Sequence, residues 1–115
     1  MTLKNEIGAE GEQLAVNFLI NNGFEILDRN YRYKRAEVDI ICRKEDFLVF
    51  VEVKFRKNNA FGEPEDFVNE RKIELIQMAS ENYVDAINWN GNIRFDIISI
   101  TKKSIPEIEH LEDAF

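Results

Sequence analysis

The sequence is short of the residues on which several classes of small protein depend. Its 115 residues include one cysteine, Cys42, and one histidine, His110. A single cysteine cannot form an intrachain disulfide, and there is no Cys/His cluster that could hold zinc. We therefore expect a protein of a reducing compartment, whose fold depends on neither disulfides nor zinc, with Cys42 as a small buried hydrophobic residue.

Long apolar runs, targeting segments and linkers are also missing. No apolar stretch is as long as a membrane-spanning helix, and residues 1–6 contain no apolar segment typical of a secretion signal. The sequence has no internal repeat, no glycine-rich phosphate-binding loop and no nucleophilic triad. We expect a cytoplasmic protein that does not enter a membrane, folded as one domain over residues 1–115 with an acidic tail over about 104–115.

Charge is plentiful but unevenly distributed. Hydrophobic residues make up 44% of the chain, enough for one core, and the net charge is −7. Between Asp28 and Lys57 lie nine of the 15 basic residues and six acidic ones, so this segment carries +3 and the remainder −10. A basic region on an acidic body can bind a polyanion locally. Ordinary solvated charges on strands and loops would give the same pattern.

Apolar spacing and turn residues predict the order α-β-β-β-α-β, a mixed sheet with helices packed against it. Gly23 ends the first helix, and Pro64 fits the first turn of the second. Arg43 to Asp46 forms a tight connection between the second and third strands. The tail after Ser104 is a short strand or loop followed by a turn of helix. The predicted elements are a helix over 7–22, strands over 24–33, 38–42 and 47–55, a helix from 64 to about 86, and a strand over 93–101.

Two short motifs carry the chemistry. Side chains alternate between the faces of a strand, so Glu52 and Lys54 point the same way, as do Glu37 and Asp39 on the neighbouring strand. If these strands pair as a hairpin, three carboxylates and an ammonium group converge. Carboxylates in otherwise apolar strands repel one another, and a hard divalent cation such as Mg²⁺ or Mn²⁺ relieves that repulsion. We therefore predict a metal site that includes Asp39 and Glu52.

A structural Glu–Lys ladder on an exposed sheet face is the alternative, because a Glu-x-Lys triplet alone is common. The apolar character of the third strand argues against exposure, since Glu52 and Lys54 lie among Phe50, Val51, Val53 and Phe55. The combination of the two motifs therefore favours a metal site over a structural ladder.

Asp39 together with Glu52-Val53-Lys54 resembles the Asp…Glu-x-Lys signature of restriction-endonuclease-like nucleases. The wider pattern resembles the uncharacterised YraN-like bacterial family, which is related to Holliday junction resolvases. Ala36 departs from the glycine that the family often has before the acidic pair. The resemblance implies a restriction-endonuclease-like fold. The matching segments are Gly8 to Glu12, Ala15, Asn30 to Arg32, Glu37 to Ile41, Phe50 to Arg56, Gly62, Lys72, Ala79, Arg94 to Asp96, and Ala114-Phe115.

The resemblance also implies further site residues. A glutamate of the first helix completes the metal site in resolvase-like nucleases, and Glu12 matches it, with Glu10 as a weaker candidate; a solvated Glu12 is the alternative. Lys72 lies in the apolar stripe of the second helix, where it either touches phosphate or forms a salt bridge to a strand acid. Apart from the resemblance, Arg32 and Arg56 are the best candidates for phosphate contacts, Arg56 because it follows Lys54 on the same face of the strand. Weaker candidates are Arg29 and Lys57 for phosphate, and Tyr31 and Tyr33 for base stacking or core packing.

Two hypotheses follow. In the first, the chain is a metal-dependent nuclease acting on DNA, possibly branched DNA, with Asp39, Glu52, Lys54 and either Glu12 or Glu37 in the site. Cutting a symmetrical junction would require a homodimer. In the second, the chain is a non-catalytic module that binds nucleic acid or a protein through the same surface. We expect Asp96 to pair with Arg94 or a neighbouring strand, and His110 to have no catalytic role.

Overall fold

The computed structural model describes residues 3–56 and 69–115, with the side chains of the first helix described from residue 9 onward. The predicted order of elements is confirmed, and a fifth strand follows it. The elements are α1 (Leu3–Asn21), β1 (Glu25–Tyr33), β2 (Ala36–Lys44), β3 (Phe47–Arg56), α2 (Glu70–Ile87), β4 (Asn92–Thr101) and β5 (Glu107–Leu111).

The strands form one five-stranded sheet in the order β1-β2-β3-β4-β5. β3 and β4 are parallel, with α2 between them in the chain, and the other three pairs are antiparallel. The β2–β3 hairpin is confirmed, and its turn consists of Glu45 and Asp46. The result is a mixed α/β fold of the restriction-endonuclease-like kind. Neither helix, over the residues described, combines the length and apolar character needed to cross a bilayer.

One helix covers each face of the sheet, because the buried strands are apolar on both faces. α1 packs on the face that carries Val49 and Val51 of β3, and α2 packs on the face that carries Leu48 and Phe50. α1 lies very close to β3 at Gly11, where a Cβ atom would come within 2.8 Å of the Phe55 side chain. The two helices therefore flank β3, which has no solvent-exposed residue in its first half.

The predicted start of the second helix is wrong. α2 begins at Glu70 rather than at Pro64, which lies outside the described residues. Asn69 is the reason, because its backbone is extended (φ −88°, ψ 170°) and its side chain accepts a hydrogen bond from the Lys72 N–H, which makes it the N-cap of α2. The strand predicted as one alternative for the tail is present as β5. After it the chain makes a turn at residues 112–113 instead of the predicted turn of helix.

Candidate active site

A hollow of about 450 Å³ lies where β2 and β3 meet the first turns of α2. We call it the acid–lysine hollow. Its wall combines carboxylates from the sheet, basic side chains from α2 and the β1–β2 turn, and an apolar floor. The residues that line it are Arg35, Ala36, Glu37, Asp39, Glu52, Asn69, Arg71, Lys72, Leu75 and Ile76.

Asp39 enters this hollow at a break in the regular structure of β2. Val38 and Ile41 both pack on the α2 side of the sheet, although residues three apart on a regular strand face opposite sides. The regular β2–β3 pairing ends at Ile40 and Val51. Asp39 is the residue of β2 just before Ile40, and its Oδ2 accepts a hydrogen bond from the Val53 N–H at 2.8 Å. A side-chain carboxylate thus satisfies a strand N–H, which fixes the carboxylate beside β3.

Glu52 lies on β3, is almost fully buried and is shared by two lysines. Its Oε1 accepts a hydrogen bond from Nζ of Lys72 at 2.5 Å, and Nζ of Lys54 lies 3.5 Å from the same oxygen. The Glu52 side chain is only 5% exposed, against 23% for Lys54 and 37% for Lys72. The structure therefore brings the carboxylate, its Glu-x-Lys partner and the α2 lysine together. The salt bridge that was one alternative for Lys72 is present.

The protonation of these groups reflects burial and mutual charge. Burial, and then the negative charge of Glu52, raise the pKa of Asp39 to about 7. Burial also lowers the pKa of Lys54, although Glu52 acts in the opposite direction. Burial disfavours the charge on Lys72 as well, but the hydrogen bond and charge of Glu52 outweigh it and raise the pKa of Lys72. Burial, with the charge of Glu52 as the second cause, thus makes Asp39 resist ionisation up to near neutral pH.

The other predicted carboxylates have partners of their own. Glu37 lines the acid–lysine hollow, and its carboxylate lies 2.9 Å from the guanidinium of Arg32, whose side chain is 78% exposed. Oε1 of Glu12 accepts hydrogen bonds from Arg29 Nε at 3.1 Å and from Asn30 Nδ2 at 2.9 Å. The charge of Glu12 nevertheless contributes to the raised pKa of Asp39.

Within residues 3–56 and 69–115, no group of three or more His, Cys, Asp or Glu side chains is arranged to hold a metal ion. Three of the predicted carboxylates, Glu37, Asp39 and Glu52, line the acid–lysine hollow together with Lys72, and Lys54 contacts the Glu52 carboxylate. Glu10 is exposed on α1, Arg56 is half-buried at the end of β3, and Lys57 lies outside the described residues. Tyr31 donates a hydrogen bond to Asn82 of α2, and both Tyr31 and Tyr33 pack against the α2-side core.

Sequence reasoning missed three residues that line the acid–lysine hollow: Arg35, Asn69 and Arg71. Asn69 could have been found as a helix N-cap, because Asn is favoured at that position. Arg35 and Arg71 carried no distinguishing signal. Both are exposed charges, and only the folded chain shows that the β1–β2 turn and the start of α2 are neighbours.

A second polar cluster is buried between β4 and β5, where Asp96 has no solvent exposure. The Arg94 guanidinium donates to both of its oxygens at 2.9 Å, the His110 ring Nε2 lies 2.7 Å from Oδ2, and the Asp113 N–H donates to Oδ1 at 3.0 Å. Burial alone would raise the pKa of Asp96, but these bonds outweigh burial and lower it. Both predicted pairings of Asp96 are therefore present. The partnership with His110 was not foreseen.

The fold and the acid–lysine hollow define the class as a restriction-endonuclease-like α/β domain that carries acidic and basic side chains on its central strands. Residues 11–100 match the uncharacterised protein family UPF0102. The chain belongs to this family, which is the YraN-like family that the motifs resemble.

Three relatives illustrate the similarity over the full chain. The UPF0102 protein of Christiangramia forsetii is 45% identical over 116 residues, covering 100% of this chain and 98% of the relative. That of Flavobacterium psychrophilum is 46% identical over 116 residues, with the same coverage of 100% and 98%. That of Alkaliphilus oremlandii is 45% identical over 121 residues, covering 98% of this chain and 100% of the relative.

Proposed function

We propose that this chain is a metal-dependent phosphodiesterase that acts on DNA, with branched or otherwise structured DNA as the expected substrate. The observation that carries the proposal is the placement of Asp39 and Glu52 in one hollow, with Lys54 and Lys72 at the Glu52 carboxylate. Two carboxylates and two ammonium groups at one point of a sheet are suited to a cation and a phosphate together.

The donor set fits a hard divalent cation. Carboxylate oxygens are the ligands that Mg²⁺ and Mn²⁺ prefer, and a cation would favour the ionised form of Asp39, whose pKa is raised by burial and by the charge of Glu52. Within the described residues, Asp39 is bonded through Oδ2 and Glu52 through Oε1, which leaves the second oxygen of each as a ligand. Glu12 or Glu37 would assist as a third carboxylate. When bound, the metal would lower the pKa of a water molecule and offset charge on the scissile phosphate.

The basic side chains supply the phosphate contacts in this proposal. The raised pKa of Lys72 keeps its ammonium group charged at neutral pH, and Lys54 adds a second point charge beside Glu52. Arg35 and Arg71 line the hollow and are exposed, so they are placed to meet a phosphate that approaches from solvent. Arg32 and Arg56 would bind flanking phosphates. Cutting both strands of a symmetrical junction would require two copies of the chain, and we further infer a cytoplasmic location from the single, buried cysteine.

The test is cleavage of branched and linear duplex DNA by the purified chain with Mg²⁺, with Mn²⁺ and with EDTA. We expect cleavage that requires the metal and is lost in both Asp39→Asn and Glu52→Gln. Glu81→Gln is the matched control, because Glu81 is exposed on α2 and lies outside the acid–lysine hollow. Urea unfolding of each variant shows that it is folded. Cleavage unaffected by both substitutions, or absent from every substrate, would contradict the proposal.

A non-catalytic module that binds nucleic acid or a protein partner is the second candidate. The observation that favours it is that Lys54 and Lys72 already neutralise Glu52 from within the chain. On this proposal the two lysines and the exposed arginines bind phosphates without turnover. Salt-dependent DNA binding that persists in Asp39→Asn, with no cleavage at any metal concentration, is the result expected from it.

A further inference from the structure

Ser99 of β4 is a buried polar residue without an evident structural role. Its side chain is only 2% exposed, and its hydroxyl has no hydrogen-bond partner among the residues that the structure describes. A buried hydroxyl that makes no hydrogen bond destabilises a folded protein, so alanine would be the better residue at this position on structural grounds alone. The hydroxyl therefore calls for an explanation outside the packing of the core.

The position of Ser99 in the sheet connects it with the acid–lysine hollow. Ser99 is the register partner of Lys54 in the parallel pairing of β3 with β4. Ile98 and Ile100, on either side of it, pack on the α1 side, so Ser99 points to the α2 side, where Glu52 and Lys54 also lie. Paired residues of neighbouring strands are about 4.8 Å apart. The serine hydroxyl and the lysine side chain are therefore neighbours on one face.

The Lys54 ammonium group is less firmly held than that of Lys72. Both contact the same oxygen of Glu52, but Lys72 lies 2.5 Å from it and Lys54 lies 3.5 Å away. An ammonium group has three donors, and a serine hydroxyl can accept from two directions. On the other side of Ser99, the register partner is Glu109 of β5, which is exposed.

We propose that Ser99 is a positioning residue for Lys54. Its hydroxyl accepts a hydrogen bond from the Lys54 ammonium group, directly or through one water molecule, when an anion draws that group away from Glu52. This rests on the proposed function in one respect, namely that Lys54 contacts phosphate. It adds β4 to a site otherwise built from β2, β3 and α2.

The test uses inorganic phosphate as the anion, without a divalent metal, and the NMR signal of the Lys54 Cε methylene group as the readout. Lys54→Arg assigns the signal. Ser99→Ala removes the hydroxyl, while Ser99→Thr and Ser99→Val form a matched pair of nearly equal shape that differs in the hydroxyl. We expect phosphate to shift the Lys54 signal in the unaltered chain and in Ser99→Thr, with a shift at least threefold smaller in Ser99→Ala and Ser99→Val.

Urea unfolding separates this role from a packing role. We expect Ser99→Ala to be at least as stable as the unaltered chain while losing the phosphate response, a combination that packing does not produce. Equal phosphate shifts in all four proteins would overturn the inference, and so would a Lys54 signal that does not respond to phosphate in the unaltered chain. Because the readout needs no cleavage, a phosphate response that depends on Ser99 in a protein that cuts no DNA supports the inference and contradicts only the nuclease proposal.

Discussion

Asp96→Asn is the substitution whose cost the structure defines best. It replaces one carboxylate oxygen by an amide group at a position with no solvent exposure, with almost no change in volume. The carboxylate accepts two hydrogen bonds from Arg94 and one from the Asp113 N–H, and it pairs with His110. The substitution therefore removes the buried negative charge that Arg94 and His110 share and leaves Arg94 with the exposed carboxylate of Glu112, without creating a cavity.

The expected cost is large for a domain of this size. The Arg94 side chain is only 17% exposed, so its guanidinium would lose its buried counterion. Removing one member of a buried ion pair typically costs about 3–5 kcal/mol, because the remaining charge stays desolvated. Domains of this size have free energies of unfolding of about 5–15 kcal/mol. We therefore expect Asp96→Asn to fold but to lose a large part of its stability.

The cost should also depend on pH. The pKa of Asp96 is lowered in the folded chain, so its contribution to stability is fully present above the unfolded pKa of about 3.9. The contribution is lost as the pH falls through the folded pKa, where protonated Asp96 comes to resemble asparagine. The two proteins should therefore differ most near pH 7 and converge in acid.

The assay is urea unfolding at pH 7 and at several acidic pH values, with Asp85→Asn as the control. Asp85 is exposed near the end of α2, so the same chemical change there should alter the free energy of unfolding by no more than about 0.5 kcal/mol. A cost of Asp96→Asn below about 1 kcal/mol at pH 7 would refute the buried ion-pair argument, since an ordinary neutral hydrogen bond contributes that much. A cost of Asp96→Asn that does not decrease at acidic pH would refute the conclusion that Asp96 stabilises the fold as a charged carboxylate.

Three further predictions use the same unfolding measurement. Gly11→Ala should cost about 1–3 kcal/mol, because its Cβ atom would lie 2.8 Å from Phe55, and an unchanged midpoint would show that α1 shifts freely. Asn69→Ala should cost about 1 kcal/mol, since it removes the side chain that accepts a hydrogen bond from the Lys72 N–H. Asn69→Asp should retain most of that stability, and an equal loss in both variants would argue against the role of Asn69 as the N-cap. The pKa of Asp39 is raised to about 7, so the unaltered chain should lose stability as the pH rises from 5 to 8. Asp39→Asn should lose less stability over the same range. Parallel pH profiles of the two proteins would contradict the raised pKa.

The fold was largely predictable because the strong signals are local. Strand β3 is a run of apolar and β-branched residues, and Gly23 ends α1 with a positive φ of 88°, as the sequence indicates. The start of α2 was not predictable from Pro64. Pro64 and Asn69 both favour a helix start, and the sequence alone does not decide between them. β5 remained ambiguous because it has only five residues, and its strand structure depends on pairing with β4.

The candidate site was predictable where alternation on a strand determines it, and unpredictable where tertiary packing does. Glu52 and Lys54 share a face, as their spacing requires. The same rule does not explain Asp39, because β2 loses its regular alternation between Val38 and Ile41. The Asp96–His110 pair joins strands whose pairing could not be read from the sequence, so a histidine in an acidic tail looked isolated.

The last residues of the chain act on both layers of the molecule. The His110 ring meets Phe18 and Phe24 on the α1 side, each at a centroid distance of 5.9 Å, while Phe115 lies against Phe95 on the α2 side at 5.4 Å. The six residues 110–115 thus contact both faces of the sheet at its β5 edge. Loosening this segment would weaken two hydrophobic cores at once, so the layers should melt together rather than one after the other.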